Sequence, residues 1–93
     1  MAYYVYITTN PARTVLYIGV TNNLRQRLAQ HFQNRGIPET FAGKYFCYNL
    51  IYAEQYADID AAIAREKELK GWTRTKKEAL ITSTNPTREF LIA

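Results

Sequence analysis

Cysteine is nearly missing from this sequence. Cys47 stands alone, so no disulfide can close within the chain. That fits a reducing compartment, and a cytoplasmic protein is expected. Histidine is as scarce. His31 and Cys47 together cannot supply the ligands of a structural zinc site. No apolar run approaches the roughly 20 residues that a membrane-spanning helix needs, so no membrane partner is expected. The N-terminus has no basic leader followed by an apolar stretch, so no signal peptide is expected. Internal repeats, low-complexity segments and linkers are absent as well.

What is present suits one packed body. Apolar residues make up 47% of 93 positions, enough for a single domain spanning residues 1–93 with a modest core. Cys47 lies in an apolar, aromatic run, where a buried thiol is expected rather than a nucleophile. Lys plus Arg number 12 against 8 Asp plus Glu, for a net charge of +4. Six of the cations, Arg65, Lys67, Lys70, Arg74, Lys76 and Lys77, crowd into a short stretch. Such density reads either as a polyanion-facing patch or as a well-solvated helix surface.

Secondary structure follows from local pattern. Tyr3–Thr9 is rich in aromatic and β-branched residues and reads as a strand. Asn10-Pro11 breaks it, and a second strand is expected over about Thr14–Val20, close enough for an antiparallel hairpin. That register can put Tyr6 and Tyr17 on one sheet face. A helix over about Asn23–Asn34 carries Leu24, Leu28 and Phe32 four residues apart, and Gly36 stops it. Residues 37–44, with Pro38 and Gly43, read as an irregular loop. A third strand is expected over about Asn49–Gln55. Asp58 caps a second helix over about Ile59–Lys70, closed by Gly71. Thr75 and Glu78 match a capping box for a short third helix reaching about Thr82. Asn85-Pro86 turns the chain, and Phe90 and Leu91 are placed to tuck the tail back. The order β-β-α-β-α-α makes an α+β domain, a small three-stranded antiparallel sheet flanked by helices.

Two places carry candidate chemistry. From Tyr17 to His31 a strand runs into a helix. The turn can bring Tyr17 toward Arg27 and His31, which neighbour each other at a spacing of four. A phenol, a guanidinium and an imidazole suit proton transfer and charge stabilisation on a phosphate. Taken alone, the same residues also fit strand packing and a solvated helix face. The second place is the helix after Asp58. Ile59, Ala62, Ile63 and Leu69 form its inward stripe, and Glu66 falls in the middle of it. A carboxylate there needs a compensating cation, hydrogen bonds or a metal, and an ion pair with an arginine is the ordinary solution.

Together these features resemble the GIY-YIG nuclease domain. The two signature halves stand here as Val5-Tyr6-Ile7 and Tyr17-Ile18-Gly19. Arg27 occupies the place of the family's arginine, and His31 that of its histidine or tyrosine. Glu66, in Arg65-Glu66-Lys67-Glu68-Leu69-Lys70-Gly71-Trp72, matches its metal-binding glutamate. The resemblance is strongest to small stand-alone bacterial members, related to the N-terminal nuclease domain of the excinuclease, and spans Tyr3 to about Pro86. Val5 replaces a glycine of the first motif. Val20 stands where excinuclease members have a lysine. The extra DNA-binding modules of larger members are not expected here, which bears on specificity more than on chemistry.

The resemblance implies a metal-dependent endonuclease that hydrolyses phosphodiester bonds in DNA, in repair or recombination. Glu66 would be the one protein ligand of Mg²⁺ or Mn²⁺. Tyr6, Tyr17 or His31 would take or position the proton of the attacking water, with Arg27 on the phosphoryl oxygens. A free phenol is a poor base at neutral pH, so Arg27 and the metal are expected to depress its pKa. DNA would arrive by its backbone along the cations of residues 65–77. Tyr45, Tyr48 and Tyr52 could stack on unpaired bases, but for most of them core packing is expected. The alternative is a nucleic-acid-binding module that keeps the fold with little activity.

Overall fold

In a computed structural model covering residues 1–93, three strands form one antiparallel sheet in the order β2-β1-β3. They are β1 (Tyr3–Thr9), β2 (Leu16–Thr21) and β3 (Asn49–Tyr56). β2 starts two residues later than expected because the hairpin loop uses Thr14 and Val15. The Asn10 carboxamide oxygen accepts from the backbone N–H of both, at 2.8 and 3.0 Å, the local competition by which asparagine holds turns. In the register, Tyr6 faces Gly19 and Thr8 faces Tyr17. Directly paired residues share a face, so Tyr6 and Tyr17 lie on the same side of the sheet, as the alternation requires.

The other face holds the core. Val5, Ile7 and Ile18 pack with Ile51, Tyr52, Ala62, Leu69 and Ile81. Each fully buried aliphatic side chain contributes about 1.5–3 kcal/mol. Ala62 and Leu69 come from α3 (Ile59–Lys70), and Ile81 from α4 (Arg74–Thr84). Asp58 caps α3 by accepting from the Ala61 N–H, and Gly71 ends it. Ile59, assigned to the inward stripe by spacing, is 43% exposed instead. It sits at the first turn of α3, where the axis has not yet come over the core.

α1 (Leu24–Gln33) is capped by Asn23, which accepts from the Gln26 N–H. Its expected apolar stripe does not become a core face. Leu24 and Leu28 are half-buried, Phe32 is 47% exposed, and the buried residue of the helix is His31. The helix turns a polar group inward because it packs on the tyrosine face of the sheet. Residues 37–44 are not wholly irregular either. Phe41–Lys44 form a one-turn helix, α2, with the Thr40 side chain accepting from the Gly43 N–H. Gly36, at φ 84°, makes the left-handed turn that leads there. α4 begins earlier than the capping box implies. Thr73, not Thr75, is the cap and accepts from the Lys76 N–H. Glu78 is taken by Arg74 at 2.9 Å and by Arg88 at 2.6 Å. Beyond α4, buried Asn85 donates to the Ile51 carbonyl, and the Leu91 N–H donates to the Leu50 carbonyl. The tail thus folds back on β3. No helix is long and apolar enough to cross a membrane.

Candidate active site

Tyr6 sits at the centre of β1 and is almost fully buried. Its ring lies across Gly19 of the paired strand. A Cβ built at position 19 would fall 2.4 Å from the Tyr6 hydroxyl and 2.6 Å from Cζ. The glycine of the second signature half is therefore a steric requirement for the tyrosine of the first. Across the ring, the Tyr6 hydroxyl lies 2.8 Å from Nε2 of His31. Tyr17 completes an aromatic cluster, with its ring centroid 6.3 Å from Tyr6 and 5.3 Å from His31 in an edge-on approach.

Charge surrounds this cluster. Burial is the main reason the Tyr6 phenol titrates far above its ordinary value; Tyr17 adds to it, Arg27 opposes it, and Glu66 raises it again. Arg27 does pull the Tyr6 phenol down, as expected, but not enough to bring it below its ordinary value. Desolvation outweighs the guanidinium, because removing a forming phenolate from water costs more than one partly solvated cation returns. His31 moves the opposite way. Burial, then Arg27, lowers its pKa, so the imidazole is neutral at pH 7. At that pH one ring nitrogen can accept while the phenol keeps a proton to donate.

Tyr6, Tyr17, Arg27, His31 and Glu66 converge, although four elements supply them. Tyr17, Arg27 and His31 line one small cleft, together with Gln30, Asn34, Thr40, Phe41 and Ala42. Glu66 arrives from α3 on the opposite sheet face and lies within Coulombic range of Tyr6. The site therefore straddles the outer strand β2, with α1 and α2 on one side and α3 on the other. Glu66 has a side chain only 16% exposed and makes no arginine pair; its charged partner is Lys70, at 3.6 Å. A lone, poorly compensated carboxylate within Coulombic range of Tyr6 is a fitting donor for a hard divalent cation that keeps most of its waters. Glu66 would be the one protein ligand there, since no group of three or more acidic, histidine or cysteine side chains gathers anywhere in the molecule.

The arginine pair sought for Glu66 belongs to Glu54 instead. Arg65 grips both Glu54 oxygens, each at 2.9 Å, and also pairs with Glu68. Tyr52 and Tyr56 donate to the same carboxylate, Tyr56 at 2.8 Å. Burial alone would raise the Glu54 pKa, but the bonds from Arg65, Tyr52 and Tyr56 bring it below the ordinary value. Motif and spacing did not single out this network. Its signal was the alternation of Tyr52, Glu54 and Tyr56, which places all three on one strand face.

The basic cluster divides accordingly. Arg65 is held by Glu54 and Glu68. Arg74 is held by Glu78 and by the Thr14 carbonyl, at 2.9 Å each. Lys76 lies over the Trp72 ring at 4.2 Å. Lys67 is exposed. Lys70 and Lys77 alone of the six line a cleft with Tyr17. Among the tyrosines expected to pack, Tyr52 is buried and Tyr48 stands edge-on to Phe32, but Tyr45 is exposed beside Phe41. Cys47 is buried, and burial pushes its thiol up to about 11.

Known proteins share this sequence pattern and this fold. The family model of the GIY-YIG catalytic domain matches residues 2–79. A UPF0213 protein of Natronomonas pharaonis is 34% identical, over 85% of this chain and 89% of its own. Another, from Streptococcus pneumoniae, is 37% identical, over 81% of this chain and 73% of its own. The relatives thus include an archaeal protein, so the type is wider than the bacterial one expected. The solution NMR structure of a UPF0213 protein from Bacillus halodurans superposes with a TM-score of 0.58 at 26% identity, covering 94% of this chain and 89% of that one. A match over most of the chain, in a shared fold, carries the conclusion that this protein belongs to the GIY-YIG catalytic domain family.

Proposed function

We propose that the protein is a metal-dependent endonuclease that hydrolyses phosphodiester bonds in DNA. The observation that carries this reading is the 2.8 Å contact between the Tyr6 hydroxyl and Nε2 of His31, with Arg27 and Glu66 charged around it. A buried phenol against a neutral imidazole is a proton relay rather than a free base. Tyr6 gives its proton to Nε2 as it takes one from the attacking water, so no phenolate has to accumulate at neutral pH. The resulting imidazolium lies near the anionic phosphoryl group that forms in the same step. Tyr17 and Arg27 line the open cleft. There Arg27 holds non-bridging oxygens as charge grows on them, and Tyr17 orients the nucleophile or the phosphate.

Glu66 would hold Mg²⁺ or Mn²⁺, which supplies Lewis-acid stabilisation of phosphate charge when bound. A carboxylate with one weak lysine partner suits that role better than one locked in a bidentate pair, the condition of Glu54. The family's chemistry, a nucleic-acid substrate and a net charge of +4 agree with a polyanion as partner.

Purified protein with Mg²⁺ or Mn²⁺ on single-stranded, duplex and branched DNA tests the reading. Cleavage is expected, and Glu66→Ala and Arg27→Ala abolish it while circular dichroism stays native. No cleavage of any substrate, or full cleavage by Glu66→Ala, overturns it. Binding without cleavage would instead favour a nucleic-acid-binding module.

A further inference from the structure

A second cleft lies beside Tyr17, and most of its lining has no part in the hydrolytic chemistry. Leu16, Tyr17, Ile18 and Phe41 make an apolar floor, and Lys70 and Lys77 form its rim. Phe41 lies on α2, the short helix that no spacing pattern announced. It is 51% exposed, so its ring is open to a ligand. Its ring runs nearly parallel to Tyr17, with interplanar angle 27° and centroids 6.1 Å apart. Tyr45 continues the row at 4.7 Å. Tyr17, Phe41 and Tyr45 thus form a row of rings, and its first two members line the reaction cleft as well.

We propose that this cleft is a nucleotide subsite, in which Phe41 stacks on an unpaired base and Lys70 and Lys77 hold the adjoining phosphates. The proposal rests on the nuclease reading and narrows it to a strand that presents an unstacked base next to the phosphate at Arg27. The two halves of the cleft argue for this occupant together. An aromatic face accepts any base, because every base has a π-face, and two ammonium groups at the rim match the phosphates that flank it. An apolar peptide would leave Lys77 unpaired, since only Lys70 has a partner, in Glu66, and a paired duplex would keep its base faces inside the stack. Tyr17 shares its ring between this cleft and the cleft of Arg27 and His31. A base seated on Phe41 therefore sets its own phosphate beside the reacting groups.

The test measures binding without divalent metal, so that it does not depend on cleavage. Single-stranded oligonucleotides with one 2-aminopurine at successive positions are titrated with wild type, Phe41→Ala, Phe41→Leu and Phe41→Trp. In the wild type, quenching is expected at one position. Phe41→Ala and Phe41→Leu are expected to lose the quenching and to bind about tenfold more weakly, while Phe41→Trp keeps both. An abasic site at that position should weaken wild type and leave Phe41→Ala unchanged. Lys77→Met should reduce the slope of log affinity against log salt by about 0.7, one phosphate's share on a single strand. Because Phe41→Leu keeps the apolar volume, its behaviour separates loss of stacking from loss of fold.

Variants at Phe41 that bind and quench like the wild type, while the wild type cleaves, would overturn the subsite and leave the nuclease reading standing. Quenching that depends on Phe41 in a protein that never cleaves would support the subsite and sink the nuclease reading. A wild type that binds no oligonucleotide at low salt would overturn both.

Discussion

Gly19→Ala puts the geometry of the site under direct load. The added methyl would sit 2.4 Å from the Tyr6 hydroxyl and 2.9 Å from Cε1. Ordinary contact between such atoms is about 3.5 Å, so the ring or the strand must give by about 1 Å. The ring cannot swing into solvent, because Tyr6 is 1% exposed. It can move only toward or past His31, which breaks the 2.8 Å hydrogen bond or compresses it. Overpacking of this kind costs about 1–3 kcal/mol, and the lost bond adds about 1 kcal/mol. A total of about 2–4 kcal/mol lowers Tm by on the order of 10 °C or more in a domain of this size. Cleavage should suffer further, since a displacement of about 1 Å in a reacting group is worth about a hundredfold. Thermal unfolding and single-turnover cleavage of the same preparation give both numbers. His31 is the only histidine, so its imidazole NMR signals report the contact without assignment. An alanine variant with wild-type Tm, cleavage rate and imidazole shifts would refute the steric argument, and with it the idea that the glycine exists to seat Tyr6.

Further outcomes follow from other parts of the molecule. The folded pKa of His31 lies below the unfolded value near 6.5, so its contribution to stability is complete above that value and is lost as pH falls toward the folded one. The acidic limb of the cleavage profile should therefore lie below 6.5, and Arg27→Gln should raise the imidazole pKa followed by NMR; an unmoved pKa would remove Arg27 from its surroundings. Glu66→Gln should stop cleavage and weaken Mn²⁺ binding in calorimetry while changing stability by less than about 1 kcal/mol, since its one partner is a lysine at 3.6 Å. Glu54→Gln should cost about 1–3 kcal/mol by stranding Arg65 and two tyrosine hydroxyls. Glu54 is depressed in the fold, so its stabilisation is present above the ordinary value of 4.5 and vanishes as pH falls through the folded one. Chemical denaturation at pH 7 and pH 3 should then show the variant's deficit narrowing in acid. Arg65→Met should destabilise the fold in the same assay yet leave the salt slope of DNA binding unchanged; a slope lowered as much as in Lys77→Met would return Arg65 to the nucleic-acid surface.

Local chemistry alone determined much of this protein. Tyr3–Thr9 is a strand because its residues suit a pleated, half-buried surface, and α3 starts and stops where Asp58 and Gly71 stand, because caps act within one turn. Alternation along two strands was enough to put Tyr6 and Tyr17 on one face, and motif order was enough to single out Arg27, His31 and Glu66. What lay outside the reach of sequence was everything that depends on distance between elements. Spacing assigned Phe32 and Ile59 to buried stripes, but burial is decided by where a helix axis meets the sheet, and both residues fall outside that contact. The arginine of the cluster could be paired with Glu66 or Glu54 on charge alone, and only the packing of α3 against β3 chose Glu54. The direction of the Tyr6 pKa was likewise a tertiary outcome: the sequence shows an arginine that could depress it, whereas the fold removes the phenol from water, and desolvation is the stronger force. Periodicity and capping are properties of neighbours along the chain, while solvation and ion pairing are properties of neighbours in space.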